Sequence, residues 1–270
     1  MSTLHVSKFG QAGKGPVLAL LHGWGSSSKI WQPCITQLAK EFHVWCVDLP
    51  GHGESSNIVW DKTVAQGVQL LKSALPERCI LIGWSLGGLL AQLFSHQYPE
   101  RVQGLMLVAS TPKFVADREW RHAMQVSTFN QFVKQYDASP QMTLSHFMAL
   151  QALHGRSLKQ IMVNLEQASL LQQPNHDLTS IRWGLEWLFE LDLREAFAMI
   201  KLPIVLFHGE NDQVSPIKAA QQTVDSWQHS RLSKISCAGH VPFLSHPKEF
   251  IEQVKLMYAQ QETESETPAE

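Results

Sequence analysis

No apolar run in this 270-residue chain is longer than Val17–Leu21, far short of the ~20 residues that a helix needs to span a bilayer. The amino terminus, Met1-Ser2-Thr3-Leu4-His5, lacks the basic start, apolar stretch and small-residue cleavage pattern of a secretory leader. A cytoplasmic protein is expected. Cysteine is scarce: Cys34, Cys46, Cys79 and Cys237 are widely spaced and form no Cys-x-x-Cys pair. That spacing argues against a disulfide framework or a zinc knuckle and for Cys as a small apolar filler. No His-Glu-x-x-His and no compact His/Asp cluster occurs, so no metal and no other cofactor is expected. Neither sign of charge dominates, with 22 Lys and Arg against 24 Asp and Glu and a net charge of −2. That balance offers nothing to nucleic acid or to an anionic membrane.

Against these absences stands an ordinary globular composition, 44% apolar and 17% charged, long enough for one large core with an insertion. Val17–Leu21, Val44–Val47, Cys79–Ile82 and Leu105–Val108 are continuous apolar runs, the pattern of strands covered on both faces. Between them, Val64, Val68, Leu71 and Leu75, and then Leu86 to Phe94, repeat at helical spacing. The alternation predicts an α/β fold with a mostly parallel sheet flanked by helices. It breaks after Thr111-Pro112, where helix-compatible stretches run to Phe189. The pattern resumes at Ile204–Phe207, with a helix near 217–227, a weaker strand at Leu232–Ile235 and a last helix carrying Phe250 to Met257. The expected division is a core of residues 1–112 and 190–259, a helical lid of 113–189 and a disordered acidic tail of 260–270.

The chemistry-bearing motif is Gly83-Trp84-Ser85-Leu86-Gly87, set between a strand-like run and a helical one. The pentad alone turns up by chance in about one chain in ten of this length, so its context carries the argument. A sharp strand-to-helix turn presents the serine hydroxyl outward and leaves no room for side chains at the flanking glycines. A hydroxyl needs a base, and the base needs a carboxylate to hold its tautomer. Asp212 follows the strand Ile204–Phe207, and His240 follows the next strand, in Ala238-Gly239-His240. Glu210, two residues from Asp212, is the competing acid. His246 and Asp192 read instead as helix-start residues. The oxyanion donors expected are the main-chain N–H groups of Leu86, after the serine, and Trp24, in His22-Gly23-Trp24-Gly25, with the Trp24 indole shaping the pocket. Asp48-Leu49-Pro50-Gly51-His52-Gly53-Glu54-Ser55 lacks the Lys-Ser/Thr ending of a phosphate loop and reads as a tight structural loop.

Together the His22-Gly23 loop, Asp48-x-Pro50-Gly51-x-Gly53-x-Ser55, the elbow at Ser85, Gly209-x-x-Asp212 and Gly239-His240 resemble the α/β-hydrolase superfamily across nearly the whole chain. Within it, Leu21 to Gly25, Gly83 to Gly88, Phe147 to Gln151 and Gly239 to Pro247 are similar to the pimeloyl-acyl-carrier-protein methyl ester esterases of biotin synthesis. That resemblance implies a serine esterase with Ser85, Asp212 and His240 as triad and Trp24 and Leu86 as oxyanion hole. It implies a substrate site of Trp24, Ser85, Leu86, Phe147 and His240. It further implies a basic lid surface that docks an acidic carrier protein, for which Arg156 and Lys159 are the local pair. Charge in the lid nearly balances, and His146 stands beside Phe147 where a permanent cation would serve better. A monomer is expected. The competing expectations are a broad short-chain carboxylesterase, a carbon–carbon hydrolase or menaquinone-pathway lyase of the same fold, and a non-catalytic ligand receptor.

Overall fold

The structure describes residues 3–265 apart from 14, 59, 156, 173–177, 179, 180 and 228, with side chains described as far as residue 260. In this computed structural model the first elements are β1 (Val6–Phe9), β2 (Val17–Leu21), α1 (Gln32–Leu38), β3 (His43–Val47), α2 (Val64–Ala74), β4 (Cys79–Trp84), α3 (Leu86–Gln97) and β5 (Val102–Val108). Among the described residues five α-helices follow: α4 (Val126–Ala138), α5 (Pro140–Ala152), α6 (Leu158–Ala168), α7 (Arg182–Glu190) and α8 (Arg194–Met199). The chain closes with β6 (Ile204–Gly209), α9 (Ile217–Ser226), β7 (Ser230–Ile235), α10 (Pro242–Ser245) and α11 (Pro247–Ser265).

All seven strands form one sheet in the order β1-β3-β2-β4-β5-β6-β7. Only β1 runs antiparallel to its neighbour. Alternate strand residues feed two cores. Leu18, Leu20, Val44, Ile80 and Ile82 pack with α1 and α11 on one face. Ala19, Leu21, Val47 and Leu81 pack with α2 and α3 on the other. This two-sided burial explains why β2 to β6 read as unbroken apolar runs.

β1 escapes that pattern because it is an edge strand, half-buried, with Lys8 laid over the Trp45 ring at 3.7 Å from its centroid. The helix predicted from Val64 is started by Thr63, whose hydroxyl accepts the Gln66 N–H at 3.2 Å. Between β5 and β6 the described residues contain no strand, only isolated bridges at Lys113–Asp192 and Val115–Met124. α8 returns to the core against α3. Asp192 is not the cap of α8: that position is Leu193, with no side-chain capping bond. Asp192, one residue earlier, accepts the Arg194 N–H at 3.3 Å and is recruited into ion pairs. At the carboxyl end α11 continues to Ser265, into the stretch expected as a tail, and 266–270 lie outside the described residues.

Cys34, Cys46 and Cys79 are buried and unbridged, and Cys237 is exposed. Burial pushes the Cys34 and Cys79 thiols up to about 12, which keeps them as packing groups. Among the described residues no helix is long and apolar enough to cross a membrane.

Candidate active site

Ser85 sits between β4 and α3 at φ 53° and ψ −117°, a conformation that costs a non-glycine residue about 1–3 kcal/mol. The surrounding backbone leaves it no alternative. A Cβ on Gly87 would lie 2.5 Å from the His22 carbonyl oxygen and one on Gly83 2.4 Å from that of Gly87, so only glycines allow the turn to close. Strain and close packing together hold the hydroxyl at the carboxyl edge of the sheet, where ligands of open α/β sheets bind.

β6 and β7 deliver the partners. Ser85 Oγ lies 3.1 Å from His240 Nε2, and His240 Nδ1 lies 2.8 Å from Asp212 Oδ2. The carboxylate has no proton to give, so the imidazole donates Nδ1–H to it and leaves Nε2 to accept from the serine. Asp212 is fixed in turn, with Oδ1 accepting the N–H groups of Val214 and Ser215 at 2.8 and 2.9 Å. The Trp84 indole donates to the His240 carbonyl at 2.9 Å and pins the backbone behind the ring. Ser85, Asp212 and His240 are all buried, whereas Glu210 is exposed, and it is Asp212 that pairs with His240. His246 stands directly before α11, its Nδ1 2.8 Å from Ser245 Oγ.

The residues expected to receive an oxyanion flank the serine. Leu86 opens α3, and Gly23 abuts the elbow so closely that a Cβ there would stand 3.2 Å from Ser85 Cβ. Among the described residues neither the Leu86 nor the Trp24 main-chain N–H has a hydrogen-bond acceptor. Two unspent donors in a buried site are what a developing negative charge requires. The loop that carries Trp24 is braced by two histidines. His22 donates Nδ1–H to the Gly23 carbonyl at 2.8 Å and accepts the Leu49 N–H on Nε2 at 3.0 Å. His52 accepts the Gly25 N–H at 3.3 Å. Burial lowers the His22 pKa to about 4, so the ring is neutral and can serve in both directions. Asp48 accepts the Ser28 and Glu54 N–H groups at 2.7 and 3.0 Å. The Asp48–Ser55 segment is therefore a brace for the Trp24 loop.

An apolar cavity of about 80 Å³ adjoins the site through Trp24 and Val214, with Phe129, Phe132, Phe147 and Leu185 among its other lining residues. The Trp24 indole donates to the Ile181 carbonyl at 3.0 Å and meets the Phe132, Tyr136 and Phe147 rings edge-on at 5.2 to 5.7 Å. Phe147 is half-buried on α5, with His146 exposed beside it, and Lys159 is exposed on α6. Arg156 lies outside the described residues. Among the described residues no group of His, Cys, Asp or Glu is arranged to hold a metal ion. Sequence reasoning missed Phe132, Leu185 and Val214 as lining residues, because helical spacing alone does not say which side of the fold an apolar face meets. It also missed His208, a polar residue inside the apolar run of β6, and that interruption was the available signal.

A model of the alpha/beta hydrolase fold matches residues 16–247. A pimeloyl-[acyl-carrier protein] methyl ester esterase of Vibrio parahaemolyticus is 37% identical over 94% of this chain and 98% of its own. The esterase of the same description from Nitrosomonas europaea is 36% identical over 93% and 98%. Among solved structures, a bromoperoxidase from Bacillus anthracis superposes with a TM-score of 0.81 at 18% identity, covering 95% of each chain. An esterase from Exiguobacterium antarcticum gives 0.78 at 20%, covering 94% of this chain and 98% of that one. The structural likenesses carry the fold alone, while the sequence relatives span nearly both full lengths. With the relay and the match over 16–247, they show that the chain belongs to the α/β-hydrolase fold family, in the same sequence family as the pimeloyl-[acyl-carrier protein] methyl ester esterases.

Proposed function

We propose that this chain is a carboxylic ester hydrolase that demethylates pimeloyl-[acyl-carrier protein] methyl ester in biotin synthesis, acting as a cytoplasmic monomer without a cofactor. The observation that carries the reading is the continuous relay of Ser85, His240 and Asp212, at 3.1 and 2.8 Å, beside a loop whose Trp24 lines an apolar cavity. The relatives' substrate supplies the ester.

Ser85 Oγ attacks the ester carbonyl while its proton passes to His240 Nε2. The oxyanion takes the N–H groups of Trp24 and Leu86, and Asp212, still ionised, stabilises the imidazolium. The carbonyl–methoxy bond then breaks, His240 returns the proton to the leaving oxygen, and methanol departs. Water repeats the sequence on the acyl-enzyme, releasing the free carboxylic acid and restoring the serine. The helices of 113–189 serve as a lid whose Phe147 lines the acyl channel. Lys159, with Arg156, serves the docking of the acidic carrier through association rate more than through residence time.

One observation favours a second reading, a short-chain carboxylesterase acting on free esters. The outward side chains of α5 and α6 include Met142, 57% exposed, and Leu158, 51% exposed, where a carrier-binding face calls for cations. Three measurements decide. Ser85→Ala is expected to abolish methyl ester turnover with an unchanged circular dichroism spectrum, and turnover by that variant would overturn the reading. The wild-type chain is expected to rescue a biotin auxotroph lacking its methyl-ester esterase and to prefer the carrier-bound ester to the free one. Equal kcat/KM for the two esters would select the second reading.

A further inference from the structure

His208, the penultimate residue of β6, is completely buried in a strand whose other side chains are apolar. Its Nε2 lies 2.6 Å from the Ser215 carbonyl oxygen and 3.5 Å from Asp212 Oδ2, the oxygen that also receives the His240 Nδ1–H. A carbonyl only accepts, so the proton sits on Nε2. Burial lowers the pKa of the ring against the opposing pull of Asp212, so this tautomer is neutral. Asp212 and His240 are the titratable groups whose charges reach it. Its Nδ1 is buried with no partner among the described residues. An unpaired buried acceptor carries a cost that an apolar residue of similar volume would avoid. What a histidine supplies here, and an apolar residue would not, is the Nε2–H bond to Ser215.

Asp212 begins a turn that ends at Ser215, and the carboxylate closes the turn by accepting the N–H groups of Val214 and Ser215. Those two bonds set the carboxylate relative to the turn. They do not set the turn relative to the sheet, and His240 approaches from the neighbouring strand's loop. The bond from His208 to Ser215 ties the far end of the turn back to β6. We propose that His208 is a positioning residue for ester hydrolysis, anchoring the 212–215 turn through Ser215 so that Asp212 Oδ2 meets the His240 Nδ1–H throughout the proton transfers. The inference rests on Ser85 acting as the nucleophile.

The test compares wild type with Ser85→Ala, His208→Leu, His208→Asn and His208→Gln on a short-chain methyl ester, with kcat, KM and Tm measured for each. Leucine keeps the volume without a donor. The asparagine amide stops short of Ser215, and the glutamine amide reaches the place of Nε2. The Leu and Asn variants are expected to lose roughly tenfold to hundredfold in kcat at unchanged KM, beyond whatever fall in Tm the bare Ser215 carbonyl brings. The Gln variant is expected to recover most of kcat. A merely structural role would lower Tm without this split or this rescue. Wild-type kcat in the Leu or Asn variant, or a loss that Gln does not repair, overturns the assignment. An inactive Ser85→Ala beside a fully active His208→Leu overturns the role of His208 alone, whereas turnover by Ser85→Ala overturns the serine reading beneath it.

Discussion

At the scale of single residues, the site depends on a side chain that is missing. Gly23 lies against the elbow, and a methyl group there would meet the Trp84 ring at 3.0 Å and Ser85 Cβ at 3.2 Å. Both neighbours are fully packed, so Gly23→Ala can be accommodated only if the Trp24 loop moves away from the serine. The expected result is a fall in kcat of about 10² to 10³ with little change in KM, the cost of one lost oxyanion donor, read by steady-state kinetics on a short-chain ester. Unchanged kcat would remove Trp24 N–H from the mechanism. Ser85, Asp212 and His240, which the structure brings within hydrogen-bond reach, stood out as candidates because each falls in a loop after a strand, in the order that the fold dictates. The choice between Asp212 and Glu210 needed three dimensions, since it turns on which carboxylate the turn folds inward. His208 gave one signal, a polar residue closing an apolar run, but that signal looks the same whether the ring fills space or serves the site.

Elements were legible in proportion to how completely they are buried. β2, β4 and β6 are covered on both faces and announce themselves, whereas β1 is an edge strand only half-buried, with Val6 against one core and Phe9 against the other, and its four residues show no clean alternation. α5 presents apolar groups to solvent as well as to the interior, so its sequence gives no direction for its inner face. The ends of the helical segment are closed by something the sequence did not suggest, a ring of four charges. Lys113 Nζ reaches Asp192 at 2.8 Å and Asp117 at 3.1 Å, while Arg194 reaches the same two carboxylates at 2.6 and 2.9 Å. The Leu193 N–H adds a main-chain bond to the Pro112 carbonyl at 2.9 Å. The hydrogen bond from Arg194 holds the Asp192 carboxyl well below the usual carboxylate range. All four side chains keep some exposure, so each pair contributes at most about 1 kcal/mol and salt weakens it. Asp192→Asn is expected to speed limited proteolysis between residues 113 and 192 at low ionic strength, with a loss of about 1 kcal/mol in global stability. Raising the salt should bring wild type toward the variant. Equal cleavage rates at low salt would mean that the ring does not secure the segment.

For the whole molecule, the histidines that brace the site also set how it tolerates acid. His22 is neutral when folded because burial lowers its pKa from 6.5 to about 4, and burial shifts His208 in the same direction. Between those two values the unfolded chain binds a proton at residue 22 that the folded chain refuses, so stability rises with pH across the interval and is complete above 6.5. Falling pH therefore removes stability from about 6.5 downward, until the folded ring itself protonates near 4. The His22 shift alone corresponds to a loss of about 3 kcal/mol, a large fraction of the 5–15 kcal/mol that holds a typical domain together. The ion-paired carboxylates Asp117 and Asp192 have depressed pKa values, so their contribution is lost only below 3.8, after the histidine term has gone. Urea midpoints measured from pH 7.5 to 4 should fall across the histidine window and not wait for the carboxylates. His22→Gln, whose amide can still donate and accept but cannot titrate, should flatten that slope whatever its stability at neutral pH. A midpoint that is level from pH 6.5 to 4 in wild type would mean that His22 is not held neutral, and the brace on the Trp24 loop would have to be assigned to other contacts.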